Sequence, residues 1–221
     1  MIFGSHPNGT FDLYEKLANG ASGEELLLKS SEAKDPADES RDGRYLLYNS
    51  VDPKTAVDIW VLPLQGDRKP FPFLSTSFNE GDAHFSPDGH WVAYTSDESG
   101  HGEVYVRPFS PDASSLDASG AGAKWQVSYS GGDAPRWSAD GKELYYLTPN
   151  WKVMEVDVTT SPTFQAGTPK LLFQAPQQAN GTRGNYTIDG KKFLFIAPTG
   201  KADQAEAPFT VVLNWQAALN K

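Results

Sequence analysis

The chain has 221 residues, of which 38% are hydrophobic and 21% are charged, so it is long enough for one domain or a repeat array with a packed core. Its formal net charge of −9 would repel a phosphate backbone and therefore disfavours nucleic acid as a partner. The chain contains no cysteine, which excludes disulfides, thiolate metal sites and cysteine nucleophiles and leaves the cellular compartment unknown. No apolar run is long enough to span a membrane, and the first residues lack the pattern of a signal peptide.

The predicted strands begin with a pair at residues 2–4 and 12–14 and an outer strand at residues 25–28. A pattern then recurs at intervals of about 50 residues: an Asp-Gly pair, a basic residue or histidine, and an apolar strand. The aspartates of these pairs are Asp42, Asp88, Asp140 and Asp189. An Asp-Gly pair between apolar runs predicts a hairpin, since glycine adopts positive φ and aspartate hydrogen-bonds the turn backbone. We therefore interpret the four aspartates as turn residues rather than as a carboxylate cluster.

Further strands follow each hairpin. The apolar strands after the turns lie at residues 45–48, 91–94, 144–147 and 193–196, the next strands at 58–61, 103–106 and 153–156, and the outer strands at 71–74, 125–127 and 170–173. A repeat of four short antiparallel strands is typical of a propeller blade. The sequence thus predicts an all-β fold, a β-propeller of four-stranded antiparallel blades with about five repeats, the first and last incomplete. The alternative is a β-sandwich with coincidental Asp-Gly turns.

The chain is predicted to be a single β-propeller domain, or a propeller fragment, over residues 1–221. The approximate repeats are 1–33, 34–80, 81–131, 132–180 and 181–221. Strands missing from the first and last repeats predict either part of a longer propeller or a homo-oligomer formed through open blade edges.

The segment from Ala83 to Gly100 resembles the TolB-type, WD-like propeller repeat, and residues 103–109, 131–138 and 210–215 extend the resemblance. Together these segments are similar to the C-terminal propellers of acidobacterial serine/threonine kinases. The resemblance implies a fold and no single function, because propellers host unrelated activities. It does not imply kinase activity, since the chain has no kinase glycine loop and no His-Arg-Asp or Asp-Phe-Gly segment.

Aligning the repeats on the Asp-Gly turns produces two informative columns. Three residues before the aspartate stand mostly large residues suited to packing between blades, namely Glu39, Phe85, Trp137 and Tyr186. One position earlier stand the polar residues Asp38, His84, Arg136 and Asn185. Neighbouring residues of a strand point to opposite faces, so the polar column is expected at the mouth of the central channel. The loops that lead into these strands add Asp35, Asp82 and Asp133.

These residues define the candidate site. The predicted ligand-binding residues are Arg136, Asn185 and Asp133, and the candidate metal ligands are Asp38, Asp82, His84 and Asn185. Carboxylate and amide oxygens suit a divalent cation such as calcium, although the sequence establishes no cofactor. Arg136 argues against a bare cation site and favours an anionic group. A hydrated polar channel without a ligand is the alternative interpretation.

The sequence contains no complete catalytic motif, since no Gly-x-Ser-x-Gly stretch occurs and only His84 is placed to act as a general base. The leading hypothesis is a propeller that acts as a binding or scaffold module for a protein, a peptide or a small ligand at the channel mouth. The alternative is a metal-dependent hydrolase of lactones, esters or phosphotriesters in the central channel, with His84 as its catalytic residue.

Overall fold

The computed structural model describes residues 1–7, 9–21, 23–110, 122–176, 186–190 and 192–196, and in these ranges the chain forms five antiparallel sheets that follow one another in sequence. The part of the chain that is described contains no helix, and hence no helix able to cross a membrane. The predicted all-β fold of antiparallel sheets is confirmed.

The strand bounds are as follows. The first sheet contains β1 (Ile2–Ser5), β2 (Asp12–Glu15) and β3 (Glu25–Leu28). The second contains β4 (Ala33–Glu39), β5 (Tyr45–Asp52), β6 (Ala56–Pro63) and β7 (Phe71–Leu74). The third contains β8 (Glu80–Phe85), β9 (Trp91–Ser96), β10 (Glu103–Pro108) and β11 (Trp125–Gln126). The fourth contains β12 (Asp133–Trp137), β13 (Glu143–Leu147), β14 (Lys152–Thr159), β15 (Gln165–Ala166) and β16 (Lys170–Gln174), and the fifth contains β17 (Tyr186–Asp189) and β18 (Lys192–Phe195).

The strands of the second and third sheets lie side by side in chain order, so the first strand of each repeat forms one edge. We call β4, β8, β12 and β17 the inner strands. Pro72 lies in β7 at the opposite edge, where its missing N–H does not interrupt a ladder, as predicted. In the fourth sheet two short strands share this outer position, because β16 pairs with the beginning of β14 and β15 with its end. The sequence predicted only β16.

The middle strands bury side chains on both faces. In β5, Leu47 belongs to one cluster with Phe85 of the third sheet. Its neighbours Leu46 and Tyr48 point the other way and cluster with Leu13 of the first sheet. Since adjacent side chains alternate between faces, an apolar run of this kind is expected in a sheet that lies between two others. Similar clusters separate the third sheet from the fourth and the fourth from the fifth.

The column of large residues packs between the sheets, as the sequence predicts. Phe85, Trp137 and Tyr186 are at most 9% exposed, and each lies in the core cluster between its own sheet and a neighbouring one. Glu39, which occupies this position in β4, is exposed. The inner strands are therefore anchored by aromatic side chains in three of the four repeats.

Three of the four Asp-Gly turns share one set of hydrogen bonds. In the third sheet the Ser86 hydroxyl donates to the carboxylate of Asp88. The same carboxylate accepts a hydrogen bond from the backbone N–H of His90 at 3.0 Å. The N–H of Gly89 donates to the Ser86 carbonyl at 2.9 Å, and the φ of Gly89 is 73°, a conformation that glycine adopts without strain. The turns at Asp42 and Asp140 repeat this pattern. These aspartates stabilise the turns.

The hairpin at Asp189 has a different register. Asp189 pairs directly with Lys192, whereas the last ladder pair of the hairpin in the second sheet joins Glu39 to Leu46. When the two hairpins are aligned on their aspartates, each inner-strand residue before Asp189 pairs with a residue two positions further along the chain. The ladder of the Asp189 hairpin therefore extends into the turn. Nothing in the described residues explains the shift.

Replacing Asp88 by alanine should lower the free energy of unfolding by about 1 kcal/mol, because the turn loses the carboxylate that accepts a hydroxyl and a backbone N–H. Urea denaturation of wild type and variant measures the difference. Asp67→Ala, at an exposed carboxylate of another loop, is the control and should change stability by less than about 0.5 kcal/mol. Equal losses in the two variants would contradict a capping role for Asp88.

Candidate functional site

The polar column of the sequence alignment lines one open pocket. Asp38, His84 and Arg136 come from the inner strands of three successive sheets and border a cavity of about 400 Å³ that we call the inner pocket. The rest of the lining comes from the ends of the inner strands and from the Asp-Gly turns: Glu39, Arg41, Phe85, Ser86, Pro87, Trp137, Ser138, Ala139, Thr187 and Ile188. The pocket therefore opens on the side of the molecule that carries these turns.

Hydrogen bonds between sheets fix the positions of the inner strands. The N–H of Phe85 donates to Asp38 Oδ2 at 2.9 Å and links the second sheet to the third. The indole N–H of Trp137 donates to the carbonyl of His84 at 3.1 Å and links the third sheet to the fourth. The hydroxyl of Tyr186 then donates to a carbonyl of β12 at 2.8 Å. Each of these bonds involves a residue of the two aligned columns or another residue of the same inner strand. The contacts that hold the sheets together therefore also position the side chains of the inner pocket.

The surroundings of His84 favour the neutral form of its imidazole. Its side chain is 17% exposed, and its Nδ1 lies 3.5 Å from Asp38 Oδ2. Burial lowers the pKa of His84 below its ordinary value, and the nearby Arg136 guanidinium lowers it further, while Asp38 opposes both effects. A neutral imidazole beside a carboxylate can donate one hydrogen bond and accept another.

Arg136 brings a positive charge into the inner pocket. Its Nη1 donates to the carbonyl of Pro135 at 2.8 Å, and its guanidinium lies 5.0 Å from the centre of the Tyr186 ring. A guanidinium over an aromatic ring is held by the ring electrons. The inner pocket thus contains a cation, a neutral imidazole and a carboxylate.

A second polar group lies outside the lining of the inner pocket. Asp82 hydrogen-bonds Asp133 across the boundary between the third and fourth sheets. Burial, the charge of Asp133 and this hydrogen bond raise the pKa of Asp82 from 3.8 to about 7, while Arg136 lowers it. Asp35 adds a further negative charge, and burial raises its own pKa as well. Asp35, Asp82 and Asp133 lie within β4, β8 and β12 rather than in the loops that the sequence predicted, and Asp82 and Asp133 form a separate carboxylate pair in which the pKa of Asp82 is raised to about 7.

Bulges in the inner strands account for this separation. The ladder between β8 and β9 shifts register between Gly81 and His84, and Asp82 has a φ of 50°. The ladder of β12 with β13 shifts between Asp133 and Arg136, where Ala134 has a φ of 51°. A bulge inserts an unpaired residue and re-aims the side chains beside it. The strict alternation assumed in the sequence alignment therefore ends at the bulge.

The structure groups the predicted site residues in two sets. Asp38, His84 and Arg136 line the inner pocket, while Asp82 and Asp133 form the carboxylate pair; Asn185 lies outside the described residues. Within the described ranges, no three His, Asp or Glu side chains are grouped so that they could hold a metal ion. The metal-ligand set, which includes Asn185, stays a prediction.

One set of buried polar residues was missed in the sequence. Asp12, Asp58 and Glu103 lie near the start of β2, β6 and β10 and are at most 2% exposed. The signal was present, since an acidic residue precedes the apolar part of the same strand in three repeats. A repeated buried carboxylate indicates either a structural hydrogen-bonding role or a site.

No protein-family model matches the sequence, and no curated protein sequence matches it either. Solved structures do match its fold. TolB from Acinetobacter baumannii has a TM-score of 0.57 at 21% identity, over 87% of this chain and 47% of that one. A protein of Agrobacterium tumefaciens assigned to TolB has a TM-score of 0.59 at 14% identity, over 78% of this chain and 62% of that one. A puromycin-hydrolyzing peptidase of Mycobacterium tuberculosis has a TM-score of 0.51 at 15% identity, over 77% of this chain and 31% of that one.

The chain has the TolB-type β-propeller fold that the segment from Ala83 to Gly100 predicted. It spans 47% and 62% of the two TolB structures, and at these identities the likeness concerns the fold alone. The similarity to kinase-attached propellers is not tested by these structures and stays a prediction.

Asp82→Asn should stabilise the protein in a pH-dependent way. The pKa of Asp82 in the folded state is about 7, above the ordinary 3.8, so between these two values the folded protein keeps a proton that the unfolded chain releases, and stability falls as the pH rises from about 4 to about 7. An amide cannot ionise, and asparagine tolerates the left-handed φ at this position. We expect the variant to gain on the order of 2 kcal/mol at about pH 8 and little at about pH 4, measured by urea denaturation at both values.

The exposed residue Asp67 provides the control for this experiment, because Asp67→Asn removes the same charge from a solvated loop. If Asp82→Asn raised the free energy of unfolding equally at both pH values, the result would contradict the raised pKa of Asp82.

Proposed function

We propose that this protein is a binding module that recognises a segment of another protein at the inner pocket. The observation that carries the proposal is the convergence of Asp38, His84 and Arg136 from three successive inner strands on one open cavity of about 400 Å³. Ligand sites are typically concave, largely pre-formed and lined by a few convergent polar groups. The hydrogen bonds between the inner strands supply this pre-organisation.

The chemistry of the pocket suits a peptide segment that carries a carboxylate. Arg136 brings a positive charge into the pocket that attracts such a group, and Arg41 at the rim adds a second positive charge. Asp38 is engaged by the Phe85 N–H and lies beside His84, so it serves to orient the imidazole. The backbone of the surrounding turns can complement the peptide amide groups.

We further propose that the five sheets are five successive propeller blades, bounded approximately at residues 1–33, 34–80, 81–131, 132–180 and 181–221. The support is that hydrogen bonds join the inner strands from the second sheet to the fifth and that a core cluster lies between each pair of neighbouring sheets. In this arrangement the inner pocket lies at one end of the axis around which the blades are arranged.

A selection from a phage-displayed peptide library on the immobilised protein tests the binding function. Peptides that bind should contain a required carboxylate, and Arg136→Ala should weaken their binding about ten- to hundred-fold, the range for a lost charge-assisted hydrogen bond. Isothermal titration calorimetry with the selected peptides gives the affinities.

Arg68→Ala is the matched control, because Arg68 is exposed in the loop between β6 and β7 and does not line the inner pocket. This variant should bind the selected peptides like wild type. A library that yields no binder, or peptides that bind the Arg136 variant with unchanged affinity, would count against the proposal.

The hydrolase alternative draws support from one observation, the imidazole of His84 next to a carboxylate in an open pocket. Its rank is lower because the two serine hydroxyls that line the pocket serve other partners. Ser86 donates to Asp88, and Ser138 donates to Asp140 at 2.9 Å, so neither is placed as a nucleophile for His84.

Metal content and turnover separate the two functions. We expect purified protein to retain no stoichiometric divalent metal and to hydrolyse p-nitrophenyl acetate, γ-butyrolactone and paraoxon no faster than buffer does. Elemental analysis and spectrophotometric assays before and after chelation measure both quantities. Turnover that is lost on chelation and in His84→Ala, with unchanged folding, would favour the hydrolase instead.

A further inference from the structure

A second cavity lies between the first and second sheets and shares no lining residue with the inner pocket. Its volume is about 450 Å³, and we call it the outer cavity. Leu28, Tyr48 and Trp60 supply apolar and aromatic surface, and Asp58 lies among them. The cavity thus combines apolar and aromatic surface with several charged and hydroxyl side chains, and concave sites of this kind can hold small ligands.

The feature that points to a ligand is the carboxylate of Asp58. The residue is 2% exposed, and its Oδ2 accepts a hydrogen bond from the Thr55 hydroxyl at 2.7 Å. Its Oδ1 is buried and has no hydrogen-bond partner among the described residues. Burial raises the pKa of Asp58, although the hydroxyls of Thr55 and Ser75 act in the opposite direction. A buried carboxylate oxygen without a donor is costly, and a bound donor would remove that cost.

The carboxylates at the same position of the neighbouring sheets are engaged by donors of the chain itself. In the first sheet, Asp12 pairs with the ammonium of Lys34 at 3.3 Å. In the third sheet, Glu103 accepts the N–H of Gly131 at 2.9 Å on one oxygen and the hydroxyl of Ser128 on the other. Only the carboxylate of the second sheet both keeps an oxygen without a donor and lines a cavity. A structural role alone explains the first and third members of the series and leaves the second unexplained.

The charges around the outer cavity favour a cation. Lys34 is neutralised by Asp12 and also donates to the carbonyl of Glu32 at 2.7 Å. The hydroxyls of Ser30 and Ser31 lower the pKa of Glu32 to about 2, so this carboxylate is ionised at neutral pH. With Asp12 included, four carboxylates stand against two ammonium groups: Asp12, Glu32, Asp52 and Asp58 against Lys34 and Lys69.

We propose that the outer cavity binds an organic ammonium ion, whose N–H groups donate to Asp58 Oδ1 while its carbon body packs against Trp60 and Tyr48. A charged donor forms a stronger hydrogen bond to a carboxylate than a neutral one does, and aromatic side chains attract cations. The ammonium group belongs either to a small free amine or to a lysine side chain of a peptide.

The first test compares an amine with its neutral isostere on the unmodified protein. 2-Phenylethylammonium chloride and 2-phenylethanol have nearly the same shape and differ in charge. By isothermal titration calorimetry at pH 7, we expect the ammonium compound to bind at least about ten-fold more tightly. Equal affinities, or no binding of the ammonium compound up to about 10 mM, would overturn the proposal.

The second test replaces the carboxylate without changing its shape. Asp58→Asn should weaken binding of 2-phenylethylammonium about ten- to hundred-fold, as expected for the loss of a charge-assisted hydrogen bond. Glu103→Gln is the matched control, since it changes the equivalent carboxylate of the third sheet and should leave the affinity unchanged even where it lowers the melting temperature. Unchanged binding in Asp58→Asn, or an equal loss in both variants, would overturn the proposal.

A third ligand distinguishes the two sources of the ammonium group. Nα-acetyl-lysine amide presents a lysine side chain without a free α-amine. Binding tighter than that of 2-phenylethylammonium supports a lysine of a peptide as the occupant, and weaker binding supports a small amine. Neither comparison depends on the variants, so both remain decisive if Asp58→Asn fails to fold.

Discussion

Burial of both faces of the second, third and fourth sheets is the constraint on which the rest of the structure depends. A sheet of four short strands has too little surface to form a core alone, and here each is covered by its neighbours. The continuous apolar run of β5 shows how this is achieved, since Leu46 and Leu47 belong to different clusters although they are adjacent. The same constraint brings the inner strands together, because sheets stacked face to face converge at the edges where Phe85 N–H meets Asp38 and Trp137 meets the His84 carbonyl.

The inner pocket is a consequence of this packing. In β8 and β12 one residue serves as an anchor between sheets, and alternation then directs its neighbour away from the core. Phe85 and His84 form such a pair in β8, and Trp137 and Arg136 form another in β12. Phe85, Trp137 and Tyr186 are all aromatic because they fill the same position between sheets in three of the four repeats. Their neighbours differ, as carboxylate, imidazole and guanidinium, because no packing requirement fixes them, and this difference gives the pocket a specific chemistry.

Much of this arrangement could be predicted from the sequence because it depends on local signals. The Asp-Gly turns, the strand order and the two columns follow from turn chemistry and from the period of the strands, and they place His84 beside Asp38. The separation of Asp82 from that pair could not be predicted, since it results from a bulge whose unpaired residue has a φ of 50°. The two-residue strand β15 was missed for a similar reason, because its pairing with β14 depends on tertiary contacts rather than on a periodic pattern.

The buried carboxylates show most clearly where a repeat carries function. Asp12 pairs with Lys34, and Glu103 accepts hydrogen bonds from Ser128 and Gly131. Both carboxylates are therefore engaged by donors of the chain itself. Asp58 occupies the same place in its sheet, but the donor that would complete it is not supplied by the described part of the chain. The carboxylate at this repeat position is satisfied by the chain in two sheets, and in the third case it keeps an oxygen without a donor beside a cavity. Packing alone does not explain this, because burying an apolar side chain at that place would cost less free energy. Both the inner pocket and the outer cavity therefore lie at positions where the residues or their hydrogen bonds differ between repeats.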